Sequence, residues 1–186
     1  SSGKRRLAAD VARGLMARGQ SVELIDSGTL RNGPLSSSLG FSRGDRDTNV
    51  LRHAMAAQLL ARNGVVAVVS AVSPYRDTRD SVRAVLGRFV EVHVATPPEV
   101  CAKQDPSGTW ARALAGQLSG FTGVDDPYEA PLAPELRVDL SQVGIDDAVQ
   151  MVLQAAETAG WLEVELGPDA AQDEVHARLG ELGYER

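Results

Sequence analysis

Apolar residues recur at every fourth position near the start of the chain. Leu7, Val11 and Leu15 share one face of a helix that opens after Ser1-Ser2-Gly3-Lys4 and ends at Gly19. Ser21 to Ile25 reads as a strand closed by Asp26. Residues 27–44 read as a loop, with Gly28, Gly33, Pro34, a run of serines and Gly40. A second helix, Asp47 to Arg62, is expected to turn Val50, Leu51, Met55 and Leu59 inward and to stop at Asn63-Gly64. Val65-Val66-Ala67-Val68-Val69 is continuously apolar and β-branched, the pattern of a strand buried on both faces of a parallel sheet. Ser73-Pro74-Tyr75 turns the chain into a helix from about Asp77 to Leu86, and Phe89 to Val94 reads as the next strand. Pro97-Pro98 opens a short helix through Cys101, Gly108 to Leu118 is helical, and Gly120 to Tyr128 is a polar loop. Leu136 to Leu140 is a short strand and Ile145 to Ala159 a helix. Strands alternating with helices predict an α/β layered sandwich with right-handed crossovers. Ligands in such sheets sit beyond the carboxyl ends of the strands, where the loops after Ile25, Val69 and Val94 gather.

Composition narrows this picture. The 186 residues suit one domain with a short remainder. The remainder is assigned to residues 161–186, where Glu163, Glu165, Asp169, Asp173 and Glu174 mark an acidic tail or linker; residues 1–160 form the domain. A net charge of −6 argues against a nucleic-acid or membrane-surface protein, either of which wants excess Lys and Arg. A single cysteine, Cys101, rules out an internal disulfide framework and fits a cytoplasmic protein; it reads as a buried or half-buried helix residue. His53, His93 and His176 lack metal-ligand spacing. There is no run of 18 apolar residues and no signal peptide. The chain opens abruptly inside what reads as a functional loop, which suggests a fragment.

Positive charge is local, at Arg43, Arg46, Arg52 and Arg76, and suits a small anion. The stretch Leu39 to Arg52 sets Gly40, Phe41, several arginines and Asn49 at a helix entrance. An aromatic ring, fixed cations and an amide there suit a ligand with a flat base and negative groups. The plainer alternative is a loop followed by a helix capped by Asp47 or Thr48. Gly3-Lys4 before a helix matches the second half of a phosphate-binding loop, G-x-x-x-x-G-K-S/T, in which backbone N–H groups and a Lys hold phosphates and the hydroxyl ligates Mg²⁺. The match is partial: the first Gly would precede residue 1, and Arg5 stands in the Ser/Thr position.

The ordered set resembles the adenylylsulfate kinase family from Ser2 to about Leu162. Its most specific blocks are Leu39-Gly40-Phe41-Ser42 with Asp45-Arg46-Asp47-Thr48-Asn49, then Leu60-Ala61-Arg62-Asn63-Gly64-Val65. Ser73-Pro74-Tyr75-Arg76, Gly87-Arg88-Phe89-Val90-Glu91-Val92 and Phe121-Thr122-Gly123-Val124-Asp125-Asp126-Pro127-Tyr128-Glu129 complete them. The resemblance implies a P-loop NTPase-like three-layer α/β sandwich with a mostly parallel sheet, whose first strand would precede Ser1. It implies transfer of the γ-phosphoryl of ATP to the 3′-hydroxyl of adenosine 5′-phosphosulfate (APS), giving PAPS, with ATP and Mg²⁺ as cofactors. Residue by residue, Phe41 and Phe121 match the rings that sandwich the APS adenine; Arg31, Arg46 and Asn49 match positions that bind the phosphosulfate and ribose. Ser73 and Tyr75 match the turn beside that pocket. Gly3, Lys4 and Arg5 occupy the nucleotide loop, Lys4 neutralising phosphates. Asp26 serves Mg²⁺ or the attacking hydroxyl, and Asp105 and Gly108 match part of the lid. The partners implied are APS, an ATP sulfurylase domain or partner, and a second copy in a homodimer; neither nucleic acid nor membrane is among them.

Three departures fall on the ATP side. Arg5 replaces the Ser or Thr hydroxyl; Asp26-Ser27-Gly28 replaces Asp-Gly-Asp; and Ser107 replaces the lid Lys. Arg5 in the metal's place is a fixed cation, which favours phosphate binding without turnover. Asp45 or Asp47 is a remote candidate to stand in for the absent carboxylate. His93-Val94-Ala95-Thr96-Pro97 is similar to the kinase-like domain fused to some fungal ATP sulfurylases, which senses PAPS and does not catalyse. Three functions therefore stand: an adenylylsulfate kinase, an APS- or PAPS-binding regulatory domain of a sulfate-activating enzyme, and a kinase for another nucleotide-like substrate.

Overall fold

The computed structural model describes residues 1–31, 33 and 36–161. The elements run α1 (Lys4–Met16), β1 (Val22–Asp26), α2 (Ser27–Leu30), α3 (Arg43–Ala61), β2 (Val66–Ser70), α4 (Arg76–Leu86), β3 (Val92–Val94), α5 (Pro98–Lys103), α6 (Thr109–Leu114), β4 (Leu136–Val138) and α7 (Ile145–Thr158). The acidic tail expected from residue 161 onward lies, apart from Trp161, outside the described residues.

Both strand pairs are parallel. β1 pairs with β2 in the register Val22 with Val66 to Asp26 with Ser70, and β3 pairs with β4 from Val92 with Leu136 to Val94 with Val138. α1 and α3 pack on β1 and β2, and α1 also packs on α7. The expected face of α1 is the buried one: Leu7, Val11 and Leu15 join Val138, Ala148, Val149, Val152 and Leu153 in the main core. Gly14 lets the two helices approach, since a Cβ there would meet Leu153 Cδ1 at 3.2 Å. The parallel pairing places Asp26 and Ser70 side by side at one sheet edge, with Gly3 leading into α1. Among the described residues no helix is long and apolar enough to cross a membrane.

Several expectations are corrected. α3 begins at Arg43, four residues before Asp47, because the Ser42 hydroxyl accepts from the Asp45 amide at 3.2 Å and caps it; neither Asp47 nor Thr48 is the cap. The inward face of α3 is Asn49, His53, Ala54 and Ala57, whereas Leu51, Met55 and Leu59 are exposed. Leu51 lies about 200° around the helix from Asn49; the small alanines, not the large apolar side chains, let α3 lie close on the sheet. β2 is not buried on both faces: Val66 to Val68 are half-buried and Val69 is exposed. Ser27–Leu30, read as loop, forms a short helix because the Asp26 carboxylate caps it. β3 and β4 are shorter than expected, since their pairing covers only three residues each.

Candidate active site

Two clusters of polar residues meet at the carboxyl end of β1. The first surrounds the start of α1. Gly3 takes φ 86°, a left-handed conformation that suits glycine, and turns the chain so that α1 begins at Lys4. The free N–H groups of a helix start and the partial positive end of its dipole favour an anion. Lys4 is mostly buried, which lowers its pKa, and the neighbouring Arg5 guanidinium lowers it further against the opposing pull of Asp26. Arg5 Nε pairs with Asp26 Oδ2 at 2.8 Å. Asp26 also accepts from Thr29 Oγ1 at 2.9 Å and from the Gly28 amide at 3.2 Å. Burial pushes the Asp26 carboxyl up, but Thr29, Gly28 and Arg5 together outweigh it and hold it below the usual carboxylate value.

The family resemblance implies a magnesium ion beside Lys4 and Asp26, and the residues present do not fit one. Mg²⁺ wants a near-octahedral set of oxygen ligands. The hydroxyl expected at position 5 is a guanidinium, Asp26 is engaged by three donors, and Gly28 has no carboxylate. A Cβ built on Gly28 would collide with Arg5 Nη2 and lie 3.6 Å from Asp26 Oδ1. Neither remote carboxylate fills the gap: Asp45 accepts from Ser42 Oγ at 2.6 Å and Asp47 from Thr78 Oγ1 at 2.5 Å.

The second cluster joins the aromatic residues. Phe41 is 62% exposed, so its ring face is open to solvent. The Arg31 guanidinium lies 4.0 Å from its ring centroid, and Arg31 Nη2 donates to Gly40 O. Arg46 reaches across two segments: Nε donates to Phe41 O at 3.0 Å, and Nη2 donates to Gly120 O beside Phe121. The backbones are close, since a Cβ on Gly120 would lie 3.7 Å from Phe41 O. The Asp125 carboxylate accepts from the Gly120 and Phe121 amides at 2.7 and 2.6 Å, and Phe121 meets Trp110 edge to face at 5.0 Å.

Tyr75 is buried, and its hydroxyl donates to Asp126 Oδ1 at 2.9 Å. Burial, then that bond and the Asp126 charge, raise its pKa. Asp126 Oδ2 lies 3.7 Å from Arg46 Nε, so the Tyr75 turn and the Phe41 loop converge on one carboxylate. Ser73 holds φ 43°, strained for a non-glycine residue, and its Oγ is buried without a protein partner among the described residues. Asn49 is 4% exposed, donates to Ser27 Oγ at 3.1 Å and accepts from Ser36 Oγ at 2.6 Å. Ser27 follows Asp26, so Asn49 ties α3 to the end of β1. In the lid segment, Asp105 accepts from Ser107 Oγ at 2.6 Å and the Trp110 amide at 2.8 Å; these and the Ser107 amide pull it down to about 2. Gly108 takes φ 68° at the start of α6.

The structure thus brings together Arg31, Phe41, Arg46, Tyr75 and Phe121 around Gly120 and Asp126, and separately Gly3, Lys4, Arg5 and Asp26. Sequence reasoning gave no role to Asp126, Thr29, Ser36 or Arg79. Arg79 is buried, with Nη1 donating to Ser73 O at 2.7 Å, Nη2 to Glu129 O at 2.5 Å, and Nε paired with Glu91 at 2.8 Å. Its only sequence signal was an arginine in an otherwise inward-facing helix position.

The family model described as adenylylsulphate kinase matches residues 1–139. An adenylyl-sulfate kinase of Synechococcus sp. (strain JA-3-3Ab) is 44% identical over 162 residues, 87% of this chain and 92% of that protein. A probable bifunctional SAT/APS kinase 2 of Sorangium cellulosum is 42% identical over 87% of this chain, but only 28% of its own length is matched. The APS kinase CysC of Mycobacterium tuberculosis, solved with AMPPNP and APS, superposes with a TM-score of 0.79 at 39% identity, covering 84% of this chain and 91% of that one. The fold is therefore the P-loop α/β sandwich with parallel strands. By matched length, identity and fold alike, the chain belongs to the adenylylsulphate kinase family.

Proposed function

We propose that this chain binds APS with its adenine between Phe41 and Phe121 and transfers the γ-phosphoryl of ATP to the 3′-hydroxyl, giving PAPS and ADP. The reading is supported most by Arg46, which ties the Phe41 loop to the Phe121 loop by two hydrogen bonds while paired with Asp126. Base stacking on a ring is worth about 1–3 kcal/mol. Arg31 stands over the Phe41 ring and is the nearest fixed cation for the phosphosulfate. Asn49, held rigid by Ser27 and Ser36, is assigned to the ribose.

At the other end, Lys4 and the start of α1 receive the ATP phosphates. The 3′-oxygen attacks the γ-phosphorus, the bond to the β,γ-bridging oxygen breaks, and ADP leaves. Positioning and charge neutralisation supply most of the acceleration in such a transfer. To Asp26, whose carboxyl is held below the usual carboxylate value, we assign the role of taking the hydroxyl proton. We place the reaction in the cytoplasm.

A second reading is favoured by the Arg5–Asp26 pair and Gly28: an APS- or PAPS-binding domain that does not turn over and regulates an ATP sulfurylase domain or partner. An ADP-release assay decides. Release that depends on APS supports the kinase. Tight PAPS binding by calorimetry without ADP release supports the regulatory domain, and the absence of both results would overturn the APS reading.

A further inference from the structure

We infer that the Arg5 guanidinium takes the place of the divalent cation at the phosphate site, so that this chain binds nucleotide triphosphate without magnesium. The inference rests on the reading of the Lys4 end as the ATP site. Three observations on separate elements carry it. Arg5, in the first turn of α1, is paired through Nε with Asp26 at the end of β1, and its side chain is 69% exposed. Asp26 is itself fixed by Thr29 and the Gly28 amide, so the cation stands on a rigid anchor. Gly28 does not take a left-handed φ; its backbone does not call for glycine. A Cβ there would meet Arg5 Nη2, so a side chain at position 28 would make the exposed Arg5 guanidinium shift from its present place. The missing hydroxyl at position 5 and the missing carboxylate at position 28 thus fall side by side, and the space over Gly28 is where the Arg5 guanidinium lies.

The chemistry suits a polyphosphate. A guanidinium has five N–H donors and binds phosphate oxygens two at a time. Nε is paired with Asp26, and Arg5 remains charged at any physiological pH. The adjacent Lys4 adds a second cation; burial first and Arg5 second lower its pKa, and an anion between the two cations relieves their repulsion. A magnesium ion with its waters would compete with Arg5 for the same oxygens of Asp26.

The test is calorimetry of AMPPNP binding to the full chain in excess MgCl₂ and in EDTA, with APS titrated under the same conditions. The expected result is an affinity that differs by less than about threefold between the two buffers, and that falls about tenfold or more in EDTA for Arg5→Ser. Arg5→Ser/Gly28→Asp is expected to regain a preference for the magnesium buffer of about tenfold. Wild-type binding that collapses in EDTA overturns the inference, as does an EDTA affinity unchanged by Arg5→Ser or no AMPPNP binding in either buffer. The wild-type comparison needs no folded variant. APS binding is the separate readout: its loss with magnesium-independent AMPPNP binding retained would overturn the substrate reading and leave the Arg5 inference intact.

Discussion

Arg46 joins the Phe41 loop to the Phe121 loop, because its one side chain serves both loops and a carboxylate. Lysine keeps the charge but has no planar fork. Arg46→Lys is expected to weaken APS binding about tenfold or more, on the scale of charged hydrogen bonds, with AMPPNP binding unchanged; parallel titrations of both ligands check it. His53 offers a test of a different kind. It is 2% exposed, and both ring nitrogens lack a partner among the described residues. Burial, only partly offset by Asp26, lowers its pKa below the ordinary imidazole value. The unfolded chain therefore takes up this proton first as pH falls through about 6.5, and stability drops on acidification through the window below that value. His93, lowered by burial and then by Arg137 and Arg79, acts in the same direction. His53→Leu is expected to be at least as stable as wild type at pH 7.5 and to lose melting temperature more gently between pH 6.5 and 5. An unchanged slope would show that His53 is not the group involved.

At the scale of elements, α3 and the loop before it carry most of the substrate end. Ser42→Ala removes the α3 cap and is expected to cost about 1 kcal/mol of stability by urea unfolding. It also frees Asp45, which accepts from the Ser42 hydroxyl. Arg79→Met leaves Glu91 without its 2.8 Å partner and releases the Ser73 and Glu129 carbonyls, although Arg83 still reaches Glu91. A loss of about 3–5 kcal/mol is expected, as for breaking a buried ion pair from one side. Helix α1 was legible from its four-residue period and the β2 strand from its apolar, β-branched run, although β2 is not buried on both faces. The face of α3 was not legible. Its large apolar residues suggested the core, yet the sheet takes the alanines, Asn49 and His53, because small side chains permit the closer approach.

Across the whole molecule, the two ends of the site differ in how far local sequence described them. Phe41, Arg46, Tyr75 and Phe121 stand in distinctive blocks and lie together in the fold, whereas Asn49 is bonded to Ser27 and Ser36. The phosphate end was legible only as a set of departures. That Arg5 occupies the room above Gly28 depends on α1 and β1 lying side by side, which no local pattern encodes. The same holds for Asp126, whose partners Arg46 and Tyr75 come from α3 and from the turn before α4, beside a local bond from Thr122.

The most direct measurement is calorimetric titration of APS into the wild-type chain and into Phe41→Ala/Phe121→Ala. Saturable binding at one site is expected, weakened by stacking losses of about 1–3 kcal/mol per ring, or roughly 5- to 150-fold each. No heat from APS, or equal affinity for the two proteins, would contradict an adenine held between those rings.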